Sequence, residues 1–77
     1  MHIVVAYDVV DNRKRTRLAK VLSDYGARVQ KSVFECLIDE QQYLKMKTRV
    51  EQTIDPEVDS VRYYFLCKRW KRSDQYS

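Results

Sequence analysis

The chain has 77 residues, enough for one small domain, since two would leave neither half an interior able to offset its chain entropy. With 44% apolar and 34% charged residues, one Gly and one Pro, the composition excludes collagen-like, linker-like and low-complexity disordered chains. Lys and Arg total 15 against 11 Asp and Glu, a net charge of +4 that matters for binding only where the cations cluster.

From residue 3 to residue 10 β-branched residues dominate and both alternating faces are apolar, which predicts a central strand covered on two sides or half-covered in a dimer. Asp8 is the one charge in that run. The run has no basic leader and is too short for a signal peptide or a membrane span, so no membrane association and a cytoplasmic location are expected. Asp11 is placed to cap a helix whose apolar positions Leu18, Val21, Leu22 and Tyr25 fall on one stripe, and Gly26 is expected to close it.

Residues 28–38 are strand-like, but their alternation slips at Lys31 and Ser32, predicting a turn or bulge between two strands. Asp39 with Gln42 resembles a capping box for a second helix, with Tyr43, Met46, Val50 and Ile54 on its buried side and Asp55-Pro56-Glu57 at its end. Residues 60–67 are aromatic and β-branched, a last strand. The order strand, helix, two strands, helix, strand predicts an α+β domain of ferredoxin-like βαββαβ arrangement over residues 1–67, with two helices on one face of an antiparallel sheet. So small a core is marginal alone, and a homodimer formed through the sheets is expected to complete it. Residues 68–77 form a basic tail in which Lys68, Arg69, Lys71 and Arg72 surround Trp70, fitting either phosphate contact or a short extra strand at a dimer interface.

Cys36 and Cys67 lack the spacing of a zinc or redox motif and are expected to be buried free thiols, and His2 is expected to be structural. A single glycine rules out a Gly-rich phosphate loop. Asp8 at the end of an apolar strand needs a cation, a donor or water opposite it, or else is a solvated strand terminus. The first helix carries Arg13, Lys14, Arg15, Arg17 and Lys20; Arg13, Arg17 and Lys20 share a face away from the apolar stripe, with Arg15 on its shoulder. Cations at a helix N-terminus oppose the macrodipole, so either an anionic partner such as phosphate or a solvated charged face accounts for them. Arg28, Lys31 and Ser32 add further candidate contacts to a polynucleotide backbone.

Taken together, Tyr7-Asp8-Val9, the pair Arg15 and Arg17, the segment RVQKSVFEC at residues 28–36, Asp55-Pro56 and the segment DSVR at residues 59–62 resemble the CRISPR-associated protein two family. The resemblance implies a ferredoxin-like homodimer that partners the CRISPR integrase in spacer acquisition and hydrolyses phosphodiester bonds of RNA or DNA with Mg²⁺. It implies that Asp8 is the catalytic residue and metal ligand, paired with its symmetry mate, and that Tyr7, Arg15, Arg17, Arg28, Ser32 and Phe34 match other functional positions. Arg13, Arg15, Arg17, Arg28, Lys31 and Ser32 are the expected nucleic-acid contacts. Two other functions stay open: a non-catalytic scaffold bridging DNA, and a related toxin-type ribonuclease.

Overall fold

A computed structural model describes residues 1–66. Cys67, the last residue of the predicted final strand, and the basic tail at 68–77 lie outside the described residues. The elements are β1 (His2–Asp8), α1 (Asn12–Ser23), β2 (Gly26–Gln30), β3 (Val33–Leu37), α2 (Glu40–Thr53) and β4 (Ser60–Leu66). They build a four-stranded sheet in the order β2-β3-β1-β4, antiparallel throughout, as the ferredoxin-like expectation requires.

Strict alternation along β1 sends Ile3, Val5 and Tyr7 into the interior and leaves His2, Val4, Ala6 and Asp8 on the other side of the sheet. Both helices cover the first side. Leu18, Val21 and Leu22 from α1 and Met46 and Val50 from α2 join Phe34, Cys36 and Ile38 in one core. Each fully buried side chain such as Ile3, Leu22 or Met46 contributes roughly 1.5–3 kcal/mol relative to exposure. The predicted caps form: Asp11 accepts from the Lys14 amide at 2.9 Å, and Asp39 and Gln42 make a reciprocal capping box.

The slip at residues 31–32 is a turn, preceded by a bulge that leaves Val29 without a partner between the pairs Arg28 to Phe34 and Gln30 to Val33. Two expectations need correction. β1 stops at Asp8 rather than residue 10, because Val9 turns under the helices as a buried plug and the chain then enters the Asp11 cap. Gly26 does not close α1, which ends at Ser23 with Asp24 as its cap. It is the first residue of β2, and no described residue has a positive φ. A Cβ on Gly26 would lie 2.3 Å from the Glu35 carbonyl oxygen and 2.6 Å from Cys36 Sγ, so the glycine is required by the close approach of β2 to β3.

Candidate functional site

The Asp8 carboxylate follows from β1 alternation: one residue past buried Tyr7, it is exposed on the helix-free face at the last rung of the pairing with β4, opposite Ser60. Ala6 pairs with Arg62 two rungs back, so Arg62 is the diagonal same-face neighbour of Asp8. Ala6, Asp8, Ser60, Arg62 and Tyr64 line a shallow depression of about 300 Å³. Asp8 takes part in none of the ion pairs among the described residues. Sequence reasoning missed Arg62 and Ser60 as neighbours, since only the β1 to β4 register reveals them.

The described residues assemble no group of three or more His, Cys, Asp or Glu side chains. One chain therefore offers a divalent cation a single carboxylate, too few charged oxygens for Mg²⁺ unless a second Asp8 is brought to the same place. The face that carries Asp8 has no helix over it and is apolar in part, through Val4, Ala6, Leu37, Tyr64 and Leu66, with the His2–Glu35 pair, Ser60 and Arg62 on the same side; Leu37 is 77% exposed.

The cations of α1 divide into two sets. Arg13, Arg17 and Lys20 are exposed on the helix layer, as the helical spacing predicts. Lys14 and Arg15 are turned inward: Lys14 Nζ donates to Asp59 Oδ2 at 3.0 Å, and Arg15 Nη1 donates to the carbonyl oxygens of Val9 and Val10 at 3.1 and 3.3 Å. The hydrogen bond with Asp59 raises the Lys14 pKa above its ordinary value. The Asp55 amide, which donates to the same carboxylate, and then Lys14 hold Asp59 below the usual carboxylate range. Nothing local in the sequence announces this pair, whose members are 45 residues apart.

Arg28 stands on β2 with its guanidinium 5.3 Å from the Phe34 ring, and Phe34 stacks on Tyr7 with ring centroids 6.3 Å apart. Tyr7 and Phe34 are both buried, and Phe34 supports the Arg28 guanidinium from beneath. A groove of about 390 Å³ between α1 and β2 is lined by Thr16, Ala19, Lys20, Ser23, Arg28 and Phe34. The turn at Lys31 and Ser32 reaches the Asp8 end of the sheet, where the Ser32 carbonyl accepts from the Tyr7 amide at 3.1 Å. The structure thus places Asp8, Lys31, Ser32 and the α1 N-terminus at one end, while Arg28 lies along the groove. Arg17 and Lys20 sit on the layer opposite Asp8's open face, and the cation beside Asp8 is Arg62. No described helix is long and apolar enough to cross a membrane.

Comparison with known proteins agrees with this fold. A crystal structure of Streptococcus pyogenes Cas2 superposes with a TM-score of 0.84 at 40% identity, covering 95% of this chain and 94% of that one. A "CRISPR-associated endoribonuclease Cas2" of Chlorobaculum tepidum is 41% identical over 92% of this chain and 79% of its own length. A chain of a partial Cas6-RT-Cas1–Cas2 complex is similar at 29% identity with a TM-score of 0.75, covering 87% of this chain and 79% of that one. The sequence matches the family described as CRISPR associated protein Cas2 across residues 1–74, and the chain belongs to that family.

Proposed function

We propose that two copies of this chain join through their open sheet faces into a homodimer that binds nucleic acid, partners the CRISPR integrase in spacer acquisition, and acts as a Mg²⁺-dependent endonuclease centred on paired Asp8 carboxylates. The observation that carries this reading is the position of Asp8: an exposed carboxylate without an ion-pair partner among the described residues, at the end of an uncovered, partly apolar sheet face and beside Arg62. Facing two such sheets buries apolar surface on a domain with little core of its own and lets two carboxylates share one cation. The endoribonuclease name of the Chlorobaculum tepidum relative supports the nuclease activity, and the Cas1–Cas2 neighbour supports the integrase partner.

Mg²⁺ bound between two Asp8 carboxylates would polarise a phosphodiester and lower the pKa of a bound water. The Asp8 carboxylate of each copy would hold the cation. Arg62 meets a non-bridging phosphate oxygen on the same face and stabilises charge that develops there. Arg13, Lys31 and Ser32, at the Asp8 end, anchor the flanking backbone, and Arg17 together with Arg28, stiffened by Phe34, extends the contact over the helix layer and its groove.

The DNA-bridging scaffold remains the second reading, favoured by a specific observation: among the described residues the depression around Asp8 contains no second carboxylate and no histidine to serve as a separate base. Asp8→Asn decides between them. The nuclease reading expects a loss of at least ~10²-fold in cleavage, with dimer mass and oligonucleotide affinity retained. Unchanged cleavage overturns it, and retained spacer acquisition in a cleavage-dead variant assigns the biological role to the scaffold.

A further inference from the structure

Consecutive residues of α1 hold the two strand ends that flank Asp8. On one side, Arg15 Nη1 is shared between the Val9 and Val10 carbonyls, the first two residues after β1, and its Nη2 donates to Asn12 Oδ1 at 2.6 Å. On the other side, Lys14 Nζ reaches Asp59, which precedes Ser60, the sheet partner of Asp8. The Asp59 side chain is only 3% exposed, and its Oδ2 also accepts from the Asp55 amide at 2.8 Å, so the start of β4 is fixed through it. The Asp8 to Ser60 rung is the last of its ladder, a position where strands fray unless something secures them.

We infer that Lys14 and Arg15 form a brace that positions Asp8, rather than a pair of phosphate contacts. The inference rests on the reading of Asp8 as the reacting carboxylate. It also accounts for cations placed against the helix macrodipole: in these two the positive charge is spent on carbonyl oxygens and a buried carboxylate, while Arg13 and Arg17 stay free for a polyanion. A lysine in place of Arg15 keeps the charge but cannot span the Val9, Val10 and Asn12 oxygens at once. A carboxylate displaced by about 1 Å loses on the order of 10²-fold in rate.

Arg15→Lys and Lys14→Met separate positioning from binding, with Lys14→Arg as the conservative variant that keeps the bond to Asp59. Three quantities are read on the full chain: affinity for a defined oligonucleotide, cleavage rate at saturating oligonucleotide, and amide hydrogen exchange at Asp8 and Ser60, the last pair of the β1 to β4 ladder. The brace predicts that Arg15→Lys and Lys14→Met keep affinity within about threefold, lose roughly 10–100-fold in rate, and exchange faster at those two amides. Lys14→Arg recovers both rate and protection. Weakened affinity with exchange unchanged overturns the inference and makes these residues phosphate contacts. If the wild type does not cleave, exchange and affinity still decide the brace, and only the reading of Asp8 as a nuclease centre falls. Should Lys14→Met fail to fold, Arg15→Lys alone carries the test, and unchanged exchange in it is sufficient to overturn the brace.

Discussion

Substituting Ala for Gly26 tests whether the close approach of β2 to β3 sets the basic groove. The new Cβ would stand 2.3 Å from the Glu35 carbonyl oxygen, 2.6 Å from Cys36 Sγ and 2.9 Å from Cys36 Cα. Carbon and oxygen approach comfortably at about 3.3–3.6 Å, so the methyl overlaps by roughly 1 Å. Two of the three obstacles are backbone atoms and the third is a buried side chain with no room to turn, so β2 itself must move. Overpacking of this kind costs roughly 1–3 kcal/mol. At about 2 kcal/mol a chain of this size melts some 8–16 °C lower, measured by thermal unfolding at fixed chain concentration. The displacement also carries Arg28 away from the Phe34 ring, so oligonucleotide affinity falls along with stability. A melting temperature within about 2 °C of wild type, with Arg28 still over Phe34 in the variant's structure, would refute the argument.

Other perturbations have equally definite outcomes. Met46→Ala removes a fully buried side chain that touches Cys36 Sγ at 4.0 Å, and denaturant unfolding should show a loss of about 2–5 kcal/mol. Burial, with help from Tyr43 and Glu51, pushes the Tyr63 phenol up to about 12. Its folded value lies above its ordinary 10.0, so its contribution to stability is complete below pH 10.0 and is lost as pH rises through about 12; Tyr63→Phe should flatten the fall in the urea midpoint across that window. Joint replacement of Arg13 and Arg17 by Gln should reduce the slope of log affinity against log salt by about 1.8 if each meets one phosphate of duplex DNA, and an unchanged slope would move the contact surface off α1.

Much of the fold was legible because its signals are local. The apolar run from residue 3 announced the first strand with Asp8 near its end, and the stripes of α1 and α2 with their Asp caps placed both helices; because both faces of that run are apolar, which face Asp8 takes shows only in the fold. Gly26 was misread because one glycine after a helical stripe looks the same whether it ends a helix or admits a neighbouring strand; the distinction lies in Cys36, ten residues away. Arg15 and Arg17 look equivalent in sequence, yet Arg15 turns back on Val9 and Val10, because the turn out of β1 leaves those carbonyls without ladder partners. Arg62 and the Lys14 to Asp59 pair were invisible for the same reason: register and long-range packing, not periodicity, bring them to Asp8.

The central claim is that two Asp8 side chains share one divalent cation across a dimer of sheets. Mn²⁺ binding followed by electron paramagnetic resonance, counted per chain in wild type and in Asp8→Asn, measures this directly. The account predicts one site for every two chains, absent in Asp8→Asn. One site per chain, or a site that survives Asp8→Asn, contradicts it.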